Sequence, residues 1–243
     1  MSDLLKTSSS NFRLLLTETV FNVSELFTSS SLFIHKKRIE SDAYQNAIFH
    51  NNCLLFSYLI ECMVHTHKPS LDLLLELVPN VKNLASQVFL NQMKYQEKYL
   101  LSFIKNDTFT NSLQEIANEI PSTDLKISSQ SHFEFRQCIN NCLKHLNFLD
   151  SAFYNTLPDK IFDRVFSTLI TIFLTEFISF LLTLEDISSL ASSHLSHEID
   201  YFSNELKTFN TKSSVVKAQI KLDKINFIFQ VFIFKLILVI SRK

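Results

Sequence analysis

The chain has 243 residues, of which 46% are hydrophobic and 19% are charged, and its formal net charge is −1 at pH 7. A chain of this length and composition forms one large domain or two smaller ones, is not disordered, and has no global basic field to attract nucleic acid. Glycine is absent, which excludes P-loops, dinucleotide-binding G-x-G-x-x-G turns and the G-x-S-x-G nucleophile elbow of hydrolases.

The N-terminal part is predicted to form helices joined by polar segments. Apolar residues recur with helical spacing over residues 11–28, and the polar stretch over residues 29–40 indicates a loop. A second helix is predicted over residues 42–67. Pro69 and Ser70 then start a third, with Ser70 as its N-cap, which runs to about residue 105 and is kinked or broken at Pro79.

A loop is predicted over residues 119–131, where Pro121 stands among many serines and threonines. This segment is the best candidate for a boundary, so we predict one helical bundle over residues 1–120 and another over residues 132–243. Further helices are predicted over residues 133–155, from Pro158 to about residue 187, over residues 188–209 and over residues 215–240. No segment alternates with the period of a strand, so the predicted fold class is all-α.

Two segments are apolar enough for an alternative interpretation, an integral membrane protein with helices near residues 165–184 and 225–240. In the first segment, small polar residues recur every four positions and form a narrow seam, which favours burial inside the protein. The opposite face is predicted to be core: Leu169, Phe173, Phe177 and Leu184. Residues 225–240 are apolar around most of the helix, so this helix is predicted to self-associate unless other helices cover it.

Two histidine pairs and one acidic pair are the candidate chemical groups in the sequence. His65 and His67 flank one residue, and His194 and His197 can share a helix face, but neither pair has a third ligand nearby, so no metal site is predicted. The neighbouring Glu185 and Asp186 diverge by about 100° on a helix and do not suit a general acid–base pair.

The four cysteines form no C-x-x-C pair, and residues 1–10 lack the apolar core of a secretory signal. They are therefore predicted to be reduced thiols that fill the core. No catalytic residue, cofactor, nucleic acid or small-molecule substrate is predicted.

Short motifs follow one another between residues 20 and 188. They are VFNVSELF at residues 20–27 with HNNC at 50–53, LVP at 77–79 with FLNQM at 89–93, LP at 157–158, and the run from Thr168 through Glu176 that ends in TLEDIS at 183–188. In order and spacing these motifs resemble the C-terminal region of the zeste-white ten family, and LEDIS is the most specific of them.

The resemblance implies a fold and a role. The family's C-terminal region is an elongated array of helical bundles, like those of exocyst-type tethers, without catalytic activity. Family members act in two assemblies: one tethers Golgi-derived vesicles at the endoplasmic reticulum, and the other is a kinetochore complex of the mitotic checkpoint. The expected partner is a helical solenoid of the Rod or Sec39 type. The expected location is cytoplasmic, peripheral at the endoplasmic reticulum membrane through partners, and at kinetochores in mitosis.

The family's N-terminal coiled-coil half and its tryptophan near the end have no counterpart in this sequence, which indicates a fragment, a shortened paralogue or an incomplete product. The resemblance implies structural or partner-contact roles for the motif residues that the chain does share. These are His50, Asn51, Asn52, Cys53, Pro79, Gln92, Met93, Pro158, Glu176, Leu184, Glu185 and Asp186.

Overall fold

The computed structural model of the chain describes residues 2–67, 72–118, 125–184, 187–209, 220, 222–224, 226–228 and 230. Every regular element within these ranges is helical, which confirms the predicted all-α class. The elements are α1 Ser2–Ser41, α2 Ala43–His67, a 3-10 helix Asp72–Glu76, α3 Leu77–Ser102, α4 Asp107–Ala117, α5 Leu125–Tyr154, α6 Asp159–Leu181 and α7 Ser189–Leu206. Most of the predicted last helix, residues 215–240, lies outside the described residues.

The chain divides into two compact units. The first comprises Met1–Met93 with Ala152–Pro158, and the second comprises Lys94–Ser151 with Asp159–Lys243. Helices α3 and α5 each contribute residues to both units. The division into one bundle over residues 1–120 and another over residues 132–243 remains a prediction of which parts of the chain fold independently.

The polar stretch over residues 29–40 is helical, so its prediction as a loop was wrong. Helix α1 continues through it to Ser41. The hydroxyl of Ser29 donates to the backbone carbonyl of Glu25 at 2.8 Å, so this serine satisfies its hydrogen bond within the helix. The stretch contains neither glycine nor proline, and Ile39 is buried, so a helix with a solvated face accommodates it.

The predicted helix over residues 70–105 is divided. A 3-10 helix ends at Glu76 and α3 begins at Leu77, so the break precedes Pro79 by two residues. Pro79 occupies the first turn of α3, where a missing backbone N–H costs nothing because those donors have no partner within the helix. Helix α3 ends at Ser102, and the separate helix α4 was not predicted. Asn106 begins α4 by accepting the backbone N–H of Phe109 at 2.6 Å.

Residues 125–131 are also helical, because α5 begins at Leu125 rather than near residue 133. The remainder of the predicted loop, residues 119–124, lies outside the described part of the chain, as does the predicted N-cap Ser70. Ser131 is buried, and its hydroxyl donates to the carboxylate of Glu115, which ties the start of α5 to α4. The serine-rich composition was therefore a poor guide to backbone conformation here.

Aliphatic side chains form the core of the first unit. Ile60 and Val64 of α2 pack against Leu74 of the 3-10 helix and against Leu77 and Val78 at the start of α3, with partly buried side chains of α1 against the same cluster. A second cluster joins Cys53 of α2 to Val81 and Ala85 of α3. The repeated contacts along α2 hold α3 alongside it.

Phenylalanine rings form the core of the second unit. The ring centroid of Phe177 in α6 lies 6.2 Å from that of Phe109, 6.4 Å from that of Phe135 and 5.3 Å from that of Phe202. These rings belong to α4, α5 and α7, so one side chain of α6 contacts three helices. All four rings are at most 2% exposed, at separations that are favourable for aromatic pairs.

The predicted core face of α6 is largely confirmed. Leu169, Phe173 and Phe177 are buried, whereas Leu184 is only partly buried because α6 ends at Leu181. On the predicted polar seam, Ser167 is buried, and the seam reaches solvent further along α6. The exposed members are Thr175, Ser179 and Thr183.

Two helices in the described part of the chain are long and apolar enough to cross a bilayer, Ala43–His65 and Asp159–Leu181. In their most apolar windows, 33% and 50% of the residues are buried inside the protein. Asp159–Leu181 is helix α6, which overlaps the membrane helix of the alternative interpretation at residues 165–184. Its phenylalanines belong to the core of the second unit. The other membrane helix of that interpretation, residues 225–240, lies mostly outside the described residues. Length and composition alone do not distinguish a span from a core helix.

Candidate protein-binding surface

The motif residues His50 and Gln92 lie in the interior of the first unit rather than on its surface. His50 is 6% exposed and Gln92 is 2% exposed, and the ring of His50 lies 4.6 Å from that of Phe89, centroid to centroid. Burial lowers the pKa of His50, so its imidazole is held neutral. His50 therefore contacts α3 through Phe89, and Gln92 is buried in α3.

Asn46 belongs to the same buried interface and was not singled out from the sequence. Its side-chain amide donates to the backbone carbonyl of Ile39 at 3.0 Å and to that of Val88 at 3.4 Å. It therefore joins the end of α1, the start of α2 and the middle of α3. The sequence did contain a signal for Asn46, because it lies four residues before His50 and the two share a face of the helix.

Cys53 is a core thiol. Burial raises its pKa to about 11, so the thiol stays protonated near neutral pH and is a poor nucleophile. Cys138 and Cys142 are buried as well, and burial raises the pKa of both, whereas Cys62 is partly buried. All four cysteines are free, and the prediction that they fill the core is confirmed for three of them but is wrong for Cys62.

The other motif residues do not converge on one place. Asn51 and Met93 are partly buried, and three of the set are exposed: Asn52, Pro79 and Pro158. Glu176 forms an ion pair with Lys105 at 3.4 Å, with both side chains more than a third exposed. Glu185 and Asp186 lie outside the described residues. The described motif residues therefore lie in several helices and do not form a single site.

The histidines form a pair that the sequence did not suggest. The Nδ1 atom of His194 lies 2.8 Å from the Nε2 atom of His132, a residue 62 positions away. His197 instead lies 3.8 Å from Glu198. No group of three histidine, cysteine or acidic side chains suited to a metal occurs among the described residues.

An exposed cluster of aromatic rings lies on the second unit. We call it the aromatic surface, and it consists of Tyr95, Tyr99, Phe103, His145 and Phe148. The ring centroid of Tyr99 lies 6.4 Å from that of Tyr95, 5.1 Å from that of Phe103 and 4.6 Å from that of His145. Phe148 continues the cluster, 5.9 Å from His145.

Helices α3 and α5 position these rings. Tyr95, Tyr99 and Phe103 are spaced by four residues, so they project from one side of α3 and its C-terminal turn. From α5, the Nε2 atom of His145 lies 2.8 Å from the side-chain carbonyl oxygen of Gln96, which makes Nε2 the donor. Burial lowers the pKa of His145, so the ring that joins the two helices is neutral.

The aromatic surface has the composition of a protein-binding site. Tyr95 is 54% exposed, Tyr99 is 43% exposed and Phe148 is 50% exposed. Tyrosine is enriched at binding hot spots because it buries a large rigid ring and keeps a hydroxyl to hydrogen-bond. Sequence reasoning missed this cluster, although the four-residue spacing of its members on α3 was a signal.

Charged residues flank the rings in the sequence. Lys94 and Lys98 precede the two tyrosines, and Lys144 precedes His145, and all three are exposed. Glu97 lies between the lysines on α3. Adjacent residues on a helix diverge by about 100°, so these charges are neighbours of the rings in sequence and do not define a charged edge of the aromatic surface.

Comparisons with known proteins agree with the motifs. The family model described as "Centromere/kinetochore protein zw10, C-terminal" matches residues 3–102, and the model described as "ZW10 C-terminal helical domain" matches residues 137–241. The chain is 28% identical over 186 residues to the centromere/kinetochore protein zw10 of Drosophila melanogaster, covering 76% of this chain and 23% of that protein. It is 26% identical over 191 residues to the homologue from Rattus norvegicus, covering 75% of this chain and 23% of that protein.

The chain spans less than a quarter of the length of these relatives. No solved structure matches it. The aromatic surface lies partly within the first matched range, through Tyr95 and Tyr99, and partly within the second, through His145 and Phe148.

Proposed function

The chain belongs to the family of ZW10 C-terminal regions, and from this premise we propose that it is a non-catalytic scaffold subunit of a multi-protein complex. The relatives carry the name centromere/kinetochore protein. The assemblies proposed for this chain are those that the family resemblance implies, the kinetochore checkpoint complex and the Golgi-to-endoplasmic-reticulum tethering complex.

The observation that carries the proposal is the aromatic surface. Four aromatic side chains and one neutral imidazole face one region, and three of these residues are more than 40% exposed. Leaving large rings in water forgoes the favourable free energy of burying apolar surface. A partner that covers them recovers that free energy, so the surface suits stable association better than exposure.

The described residues offer little for catalysis. Burial raises the pKa of Cys53, Cys138 and Cys142, so these thiols are held in their unreactive form. The buried His50 lies against the ring of Phe89, and Cys53, one helical turn along α2, is held as a protonated thiol because burial raises its pKa to about 11. These features support a protein that acts by binding other proteins.

The proposed partner is a helical-solenoid subunit of the Rod or Sec39 type. Such solenoids present extended surfaces made of stacked helix pairs. The aromatic surface would fit between two of those helices. Association with a membrane would then run through this partner.

The test is affinity purification of tagged residues 1–243 from an extract of the source cells, followed by mass spectrometry. Recovery of solenoid subunits of a tethering or kinetochore complex supports the proposal. Failure to recover any such subunit with a chain that circular dichroism shows to be folded would refute it.

Alkaline carbonate extraction separates this proposal from the alternative of an integral membrane protein. A peripheral scaffold is released into the supernatant together with its partner. A chain that spans the bilayer with α6 stays in the membrane pellet, which would contradict partner-mediated association.

A further inference from the structure

Three buried polar atoms of the first unit have no hydrogen-bond partner among the described residues. They are Oδ1 of Asn46, Nδ1 of His50 and Nε2 of Gln92. The three residues are 1%, 6% and 2% exposed, so bulk solvent does not satisfy these atoms. An unpaired buried donor or acceptor is costly, and folded proteins nearly always supply it with a partner.

The contacts of these residues place the three atoms in one region between α2 and α3. Asn46 and His50 are four residues apart, so they lie on one face of α2, one turn from each other. The side-chain amide of Asn46 donates to the backbone carbonyl of Val88 at 3.4 Å, and the ring centroid of His50 lies 4.6 Å from that of Phe89. Gln92 follows Val88 by four residues and Phe89 by three, so it lies one turn along α3 from both contacts.

The three atoms are complementary to one water molecule. Nε2 of Gln92 is a donor, and Oδ1 of Asn46 is an acceptor. Burial lowers the pKa of His50, so its ring is neutral and one ring nitrogen can accept a hydrogen bond. A water that accepts from one of these groups and donates to the other two makes three hydrogen bonds, the usual number for a water inside a protein.

We propose that one internal water lies between α2 and α3, accepting a hydrogen bond from Gln92 and donating to Asn46 and His50. Water is favoured over an ion, because the three groups are two amides and a neutral imidazole. A buried ion without a group of opposite charge would be strongly disfavoured.

The water extends a hydrogen-bond network that joins three helices. Asn46 also donates to the backbone carbonyl of Ile39 at 3.0 Å, at the end of α1. The water on the oxygen of the same amide connects this contact to His50 and Gln92. Hydrogen bonds have a stricter geometry than apolar contacts, so the network fixes the register of α2 on α3. Two residues recognised as family motifs thereby share one role.

Magnetic relaxation dispersion of water oxygen-17, which detects waters that leave the interior slowly, tests the proposal on the full chain. His50→Phe keeps a ring against Phe89 but lacks Nδ1, and Gln92→Met keeps the length of the side chain but lacks the amide. Each variant should lose about one long-lived water relative to the wild type. Gln87→Met is the matched control, because Gln87 is an exposed amide of the same helix, and it should lose none. An unchanged number of long-lived waters in either His50→Phe or Gln92→Met would overturn the proposal.

A crystal structure of the wild-type chain gives a readout that does not depend on how the variants fold. It should show one ordered water within about 3.2 Å of at least two of the three atoms. A water on fewer than two of these atoms, or direct hydrogen bonds among the three side chains, would overturn the proposal.

Chemical denaturation measures whether His50 and Gln92 share the water. Because either substitution releases it, the effects of His50→Phe and Gln92→Met on stability should not add. In the double variant, the rise in the unfolding equilibrium constant should fall short of the product of the two single rises by at least about threefold. Additive effects would show that the two side chains do not bind the same water.

Discussion

The ring of His145 lies 4.6 Å from the ring of Tyr99, centroid to centroid, and joins α5 to the aromatic side of α3. A hydrogen bond from His145 Nε2 to Gln96 at 2.8 Å fixes the imidazole beneath the tyrosines. This contact gives the aromatic surface a defined shape before any partner binds. Binding surfaces that are ordered in advance lose less conformational entropy on association.

The phenylalanine core of the second unit should dominate its stability. Replacing Phe177 with Ala removes a fully buried ring that contacts Phe109, Phe135 and Phe202. The free energy of unfolding should fall by about 3–5 kcal/mol, measured by chemical denaturation. Leu182→Ala is the control, because Leu182 is 68% exposed, and it should change stability little. Equal effects of the two substitutions would show that this core is described incorrectly.

Acidification should destabilise the fold through His50. Burial lowers the pKa of His50 in the folded state below its unfolded value of about 6.5. The unfolded chain therefore binds a proton that the folded chain does not, and the stability that this histidine contributes is complete above pH 6.5 and lost as pH falls below it. The slope is up to about 1.4 kcal/mol per pH unit for one histidine.

Denaturation curves between pH 5 and pH 8 measure this slope. His50→Leu replaces the imidazole with an apolar side chain. Below pH 6.5 the free energy of unfolding of this variant should depend less steeply on pH, by the contribution of one histidine. His145 still contributes to the slope in that variant, because burial lowers its pKa as well. A variant whose pH dependence matches the wild type would show that His50 does not titrate in this way.

Deleting residues 225–243 should reduce non-specific aggregation of the chain. This prediction comes from the sequence, since residues 231–243 lie outside the described part of the structure and residues 225–240 are apolar around most of a helix. Light scattering of the full chain and the deletion variant measures it. If the full chain shows no aggregation and binds no dye that reports exposed apolar surface, the prediction is wrong.

The sequence predicted well the parts of the fold that depend on local apolar spacing. The core residues Phe173 and Phe177 followed from the pattern of α6, because a helix with one strongly apolar face must bury it. Residues 29–40 were missed because a polar stretch can be either a loop or a solvated helix. Only the packing of Ile39 and the absence of breaking residues decide between them.

The candidate surface was less accessible to sequence reasoning. Exposure of Tyr99 depends on which helices cover α3, and no local pattern contains that information. The pairing of His194 with His132 joins residues 62 positions apart, which only the folded chain brings together. Motif residues such as His50 and Gln92 were recognised by resemblance, and the resemblance did not indicate that these two are buried.

The most direct test of the proposed scaffold role compares Tyr99→Ala with Tyr44→Ala in the affinity purification. Tyr99 and Tyr44 are 43% and 45% exposed, so the two substitutions remove the same side chain at similar exposure, and only one belongs to the aromatic surface. Recovery of the solenoid subunit should fall at least about fivefold with Tyr99→Ala, as expected for a hot-spot tyrosine, and stay at the wild-type level with Tyr44→Ala. Equal recovery with wild type and both variants, all folded by circular dichroism, would contradict the assignment of the aromatic surface as the binding site.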